Sequence, residues 1–157
     1  MQKISTFLWF DGQAEPAANF YVSIFKNSRI KAISRNSENA PGPTGEVLVV
    51  EFELDGMTFH AMNGGPGHPF SDAISLMVYC DDQAEVDHLW DNLTSDGGRP
   101  VACGWLTDKY GVSWQITPKA LMEMIKDPDK AKVGKVMGAM MQMVKLDIAK
   151  LKAAYDS

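Results

Sequence analysis

Apolar positions follow two periods along this chain, and the periods alternate. Residues 3–10, KISTFLWF, are rich in β-branched and aromatic types and predict a strand. Residues 13–26 put Ala17, Phe20, Tyr21, Ile24 and Phe25 on one helical stripe. Pro16 falls in the first turn of that helix, where its missing N–H costs little. RIKAISR (29–35) alternates as a strand, and NSENAPGPTGE (36–46) is a loop by composition. VLVVEFEL (47–54) and MTFHAMN (57–63) are strands joined at Asp55-Gly56, a strong hairpin signal. NGGPGHPF (63–70) is a Gly/Pro linker. The order then begins again. AISLMVYC (73–80) predicts a strand, and 83–95 a helix with Val86, Leu89, Trp90 and Leu93 inward and His88 outward. RPVACGWLTDK holds one or two short strands, and GVSWQIT (111–117) is the closing strand.

Each half is therefore β-α-β-β-β, and the residues repeat as well as the pattern. At an offset of 70, ISTFLWFDGQAE (4–15) lies over ISLMVYCDDQAE (74–85). At an offset of 55, GMTFHAM (56–62) lies over GVSWQIT (111–117), with His60 over Gln115. Two echoes in the same order mark a duplicated unit. The shared elbow, FDGQAE and CDDQAE, reads as strand-to-helix punctuation. In the second copy Asp82 is the expected N-cap with Glu85 at N3; in the first, Gly12 takes the cap and Glu15 keeps N3. Three regions result: 1–65 and 71–118 as modules, and 119–157 as a helical extension, expected to form one compact domain. In the extension, Leu121, Met122 and Ile125 sit on a short helix opened by Pro118, and DPDK starts another. Val133, Val136, Met137, Met140, Met141 and Val144 form a Met-rich stripe, and Asp147 caps a last helix with Ile148, Leu151 and Tyr155.

Composition narrows the partners. The 157 residues are 45% apolar and 22% charged, with net charge −5. Basic residues are scattered, which argues against nucleic acid. No apolar run is long enough for a membrane span and no secretory leader is visible, so membrane partners are not expected. Two cysteines, Cys80 and Cys103, make neither a disulfide framework nor a metal knuckle, and a reducing cytoplasm is the natural setting.

The segments FLWFDGQAEPAANFYVSIF, FELDGMTFHAMNGGP, ISLMVYCDDQAEVDHLWDNL and CGWLTDKYGVSWQITP resemble the vicinal oxygen chelate superfamily of glyoxalases, bleomycin-resistance proteins and extradiol dioxygenases. Within it they are similar to the PhnB-like group, labelled 3-demethylubiquinone-9 3-methyltransferase-like. The resemblance runs over nearly the whole chain, the Met-rich tail included. It implies an α+β, glyoxalase-like fold: tandem β-α-β-β-β modules forming cupped mixed sheets, with extra C-terminal helices. It also implies a homodimer and a small-molecule pocket between the two modules. Metal-using members take ligands from the first and last strand of each module. The matching windows here are Ile4–Ser5–Thr6 and Ile74–Ser75–Leu76, with His60 and Gln115 on the last strands. His60 and Gln115 are the only weak metal candidates, short of the roughly three imidazole, carboxylate or thiolate ligands a catalytic divalent ion takes. No cofactor is predicted.

The pocket candidates are Ser5, Phe7, Trp9, His60, Met62, Ser75, Met77, Trp105 and Gln115. Alternation puts Ser5, Phe7 and Trp9 on one face of the first strand and Ser75, Met77 and Tyr79 on the same face of its twin. Which face is inward stays open at this level. The expected function is binding of a small apolar or planar molecule. The alternatives are a metal-dependent glyoxalase- or dioxygenase-type enzyme and, as the group's label suggests, a methyltransferase. Against the last, NGGPGHP is interrupted by Pro66 and Pro69, and no helix follows it directly. Cys103 would act as a nucleophile only with a base such as His60 or His68 beside it.

Overall fold

Alternation and stripe convert into elements nearly where the sequence places them. The computed structural model describes residues 2–157. The chain divides into one unit ending at Pro69 and a second spanning Phe70–Ser157. The division falls inside the Gly/Pro linker, and the helical extension belongs to the second unit.

In the first unit, β1 (Thr6–Phe10) is followed by α1 (Ala14–Ile24), β2 (Arg29–Arg35), β3 (Val47–Leu54) and β4 (Met57–Asn63). The strands form one mixed sheet of order β1-β4-β3-β2, with β1 parallel to β4 and the other pairs antiparallel. Asp55 and Gly56 both have positive φ, at 49° and 77°, as the two-residue turn between β3 and β4 requires. One sheet face is sealed by α1. There Leu8, Phe10, Val50, Phe52, Leu54, Phe59 and Ala61 meet Ala17, Ala18, Tyr21 and Ile24, all buried.

The second unit repeats the plan: β5 (Leu76–Cys80), α2 (Gln83–Leu93), β6 (Arg99–Pro100), β7 (Trp105–Thr107) and β8 (Ser113–Pro118). Its sheet order is β5-β8-β7-β6, and again the first and last strands pair in parallel. Leu106, Trp114 and Ile116 are buried, as are Val86, Leu89, Trp90 and Leu93 of α2. The predicted architecture of two four-stranded mixed sheets with added helices is thus the one observed. β1 and β5 begin at Thr6 and Leu76, later than residues 3 and 73, so Ser5 and Ser75 each stand one residue before their strand.

The two elbows are capped differently. Asp82 accepts from Glu85 N at 2.9 Å, as its sequence predicts. In the first unit the cap position is Gln13, not Gly12, and no local side chain caps the helix. Instead Ala14 N donates to Asn63 Oδ1 of β4 at 2.8 Å. Gln13 makes no side-chain cap bond and Gly12 has no side chain, so the cap comes from a neighbouring strand.

The extension forms α3 (Lys119–Met124), α4 (Lys130–Met141) and α5 (Ile148–Asp156). Asp129 and Asp147 cap α4 and α5. Leu121, Val136, Leu146 and Leu151 make a small core, with Met140, Met143 and Tyr155 packed against it. The Met-rich stripe splits. Val136 and Met140 turn in, while Met137, Met141 and Val144 remain exposed.

Candidate functional site

The face of each sheet away from its helix carries the polar pairs. In the first unit, Phe7 lies across from His60 and Trp9 across from Met62, so all four share that face. Phe7 is 53% exposed although it sits in a strand, which identifies the open side. Ser5 Oγ lies 2.9 Å from His60 Nδ1. The Phe7 ring stacks on the imidazole, with centroids 5.7 Å apart and 18° between planes. Glu51 on β3 stands across from His60 on the other side. Its carboxylate is 3.4 Å from Lys31 Nζ, and Lys31 also reaches Glu53. Arg29 donates to Glu53 and holds its carboxyl below the usual range.

The second unit builds the same arrangement with different chemistry. Met77 and Trp105 both lie across from Gln115. Gln115 Nε2 donates to Ser75 Oγ at 2.9 Å. Met77 and Tyr79 are 40% and 50% exposed, so this face too is open. The four positions picked out by the repeat are therefore joined two by two, Ser5 with His60 and Ser75 with Gln115. Of the aromatic residues on the first and last strands and β7, Phe10, Phe59 and Trp114 go to the sealed face and Phe7, Trp9, Tyr79 and Trp105 to the open one.

Trp9 is held in place by the glycines that follow β4. Its Nε1 donates to Gly65 O at 2.9 Å, and His68 packs on its ring at 4.5 Å. A Cβ on Gly64 would lie 2.2 Å from the indole Cε2, so only glycine fits there. At this end of the face, Trp9 and Met62 border a cleft of about 500 Å³ closed by the loop before β3. Ser5, Phe7 and His60 are not part of its lining.

Several residues that matter carried no clear sequence signal. Glu51 reads as one polar position in an alternating strand until the register sets it beside His60. Asp108 is a buried carboxylate that accepts from Tyr110 N, Val112 N and Trp114 Nε1 at 2.8, 3.1 and 2.8 Å. It closes the β7–β8 turn and fixes the strand carrying Gln115. Gln83 of the second elbow donates to Leu146 O at 3.1 Å and accepts from Ile148 N at 2.8 Å, latching the extension. Its Nε2 also donates to Asp87, which pairs with Lys145. Those bonds hold the Asp87 carboxyl below its usual range and raise Lys145 above its own. Cys80 is buried and its thiol is pushed up to about 12 by desolvation and by Glu85, Asp81 and Asp82. Cys103 lies with its sulfur 3.9 Å from that of Met141, in the unit that holds neither His60 nor His68.

The divalent metal raised by the resemblance above is set against these donors. Among the described residues no group of three or more His, Cys, Asp or Glu side chains is placed to hold an ion. The repeat positions provide one imidazole and one hydroxyl in the first unit, and one neutral amide and one hydroxyl in the second, each pair hydrogen-bonded within its unit. That set does not fit a catalytic divalent ion.

The family described as 3-demethylubiquinone-9 3-methyltransferase matches residues 2–117. The chain belongs to this family. A solved structure described as a putative 3-demethylubiquinone-9 3-methyltransferase, PhnB protein, from Bacillus cereus is 42% identical, with a TM-score of 0.68, covering 74% of this chain and 99% of that one. A protein from Pseudomonas aeruginosa is 19% identical with a TM-score of 0.62, covering 75% of this chain and 98% of that one. A glyoxylase/bleomycin resistance protein/dioxygenase domain from Frankia sp. aligns at 11% identity with a TM-score of 0.49, covering 75% and 92%. No curated protein matches the chain. The family match ends at residue 117, so the likeness extended above to the Met-rich tail is shown for the two modules and not for the extension. No helix among the described residues is long and apolar enough to cross a membrane.

Proposed function

We propose that this PhnB-like chain binds a small apolar or planar molecule on the open sheet faces and does so without a tightly held metal. The observation that carries this reading is the open face of the first unit. Phe7 is exposed and Trp9 and Met62 are half-buried on a strand pair, and Ser5 and His60 place a hydrogen-bonded polar pair beside them. Apolar walls with few convergent polar groups are the composition of a small-molecule site. The anchor can donate through the hydroxyl or accept through the imidazole, so it would orient a ligand rather than transform it.

Methyl transfer, the chemistry in the family's description, finds little support. The one Gly-rich segment is engaged by Trp9, through Gly64 beneath the indole and the Gly65 carbonyl. Calorimetry with S-adenosylmethionine should show no heat at millimolar concentration; saturable heat would revive that activity. We also propose a cytoplasmic homodimer, with the exposed Met137, Met141 and Val144 of the extension as its apolar contact. Binding itself is tested with the neutral planar fluorophore 9-anthracenemethanol, followed by anisotropy. A micromolar complex weakened about tenfold by Phe7→Ala or His60→Ala is expected, the loss of one good contact. No binding up to the solubility limit would contradict the reading.

A further inference from the structure

The open face of the second unit carries a polar pair whose hydrogen-bonding pattern narrows its ligand. Gln115 stands on β8 between its cross-strand neighbours, Met77 of β5 and Trp105 of β7. Met77 is exposed and Trp105 half-buried, so apolar surface lies on both sides of the amide. This row bears no charge. The matching row of the first unit, Phe7–His60–Glu51, ends on a carboxylate.

Gln115 Nε2 donates to Ser75 Oγ at 2.9 Å. Among the described residues neither side chain makes a second hydrogen bond, and neither leaves a sealed, unpaired atom. The remaining amide oxygen is therefore reached from solvent, and the Ser75 hydroxyl keeps its proton to donate. One acceptor and one donor stand side by side. Turning the amide over would exchange their roles and leave the same count. A carboxylate has only acceptors and an ammonium only donors, so each matches half of the pair. An open-chain secondary amide has both, but its trans geometry points them in opposite directions. A ring amide, or a primary carboxamide, turns N–H and C=O toward one edge. We infer that this face takes a neutral, planar lactam or primary carboxamide. Its N–H donates to Gln115 Oε1, its carbonyl accepts from the Ser75 hydroxyl, and its ring lies over Met77 and Trp105.

This inference rests on the small-molecule reading and is separable from it. Two probes of one shape decide it: 2-quinolone, with a ring N–H beside its carbonyl, and coumarin, with a ring oxygen in place of that N–H. Equilibrium dialysis read by absorbance should show 2-quinolone at least about tenfold tighter, because coumarin sets an oxygen against Gln115 Oε1. Gln115→Leu should erase the preference at an unchanged coumarin affinity. Ser75→Ala should weaken both probes, since each loses its carbonyl contact; it decides the matter if Gln115→Leu does not fold. Equal affinity for the two probes, or a Ser75→Ala protein that binds them as the parent does, overturns the lactam assignment. So does a preference that survives Gln115→Leu. If neither probe binds while 9-anthracenemethanol does, the lactam assignment falls and small-molecule binding stands. Failure of all three overturns both.

Discussion

At the residue scale, position within the pleat decides what a side chain can do. Alternation in LMVYC sends Cys80 to the sealed face, while Cys103 sits in a turn with its sulfur partly accessible. Cys80, with its thiol near 12, should resist alkylation at neutral pH, and Cys103 should react. Native protein is expected to take one equivalent of iodoacetamide quickly and the second only in denaturant; rapid double labelling of native chains would refute the burial. Gly64→Ala should drive a methyl into the Trp9 indole and cost about 2 kcal/mol by overpacking. A thermal midpoint equal to that of the parent would refute the seat. The alternation of Ser5, Phe7 and Trp9 is readable from sequence, because period two is a property of the strand alone. Which face is open is not, because it depends on where α1 lands. The roles of Gly64 and Glu51 are likewise invisible until strand register brings distant residues together.

At the element scale, the two copies of one elbow show how far local sequence reaches. Asp82 caps α2 from its own segment and is legible. The cap of α1 comes from Asn63 on β4, and no local pattern announces it. Gln83 has an equivalent in Gln13, yet only Gln83 has an extension to hold, through Leu146 and Ile148. Gln83→Ala should therefore cost about 2 kcal/mol, roughly 4–8 °C in Tm for a chain of this size. A shift below one degree would show that the latch is incidental. The Asp87–Lys145 pair adds a pH dependence. The Asp87 pKa is lowered, so its contribution is present above the ordinary carboxylate range and is lost as pH falls through the folded value. The Lys145 pKa is raised, so its contribution is present below the ordinary amine value and is lost as pH rises through the folded one. Both groups are largely solvated, so the effect is small. Protection factors of the α5 amides, corrected for intrinsic exchange, should be highest between those limits and fall in acid and in strong base; a flat profile would remove the pair from the account.

At the scale of the whole molecule, duplication explains both what was readable and what the proposed function rests on. The repeat alone sets four equivalent positions, and the structure joins them as Ser5–His60 and Ser75–Gln115. The extension lies outside the family match, and the inward half of its stripe is buried within the second unit while the outward half is not. Light scattering at micromolar concentration should give twice the 17.3 kDa chain mass, and Met141→Lys should move the protein toward the monomer. A parent that scatters as a monomer would withdraw the dimer. The central claim is that the duplicated positions anchor a small molecule instead of an ion. The direct measurement is elemental analysis of untagged protein purified without chelators or added metals. Manganese, iron, nickel and zinc far below one equivalent per chain are expected; any one of them at one ion per chain, lost on His60→Ala, would contradict the claim.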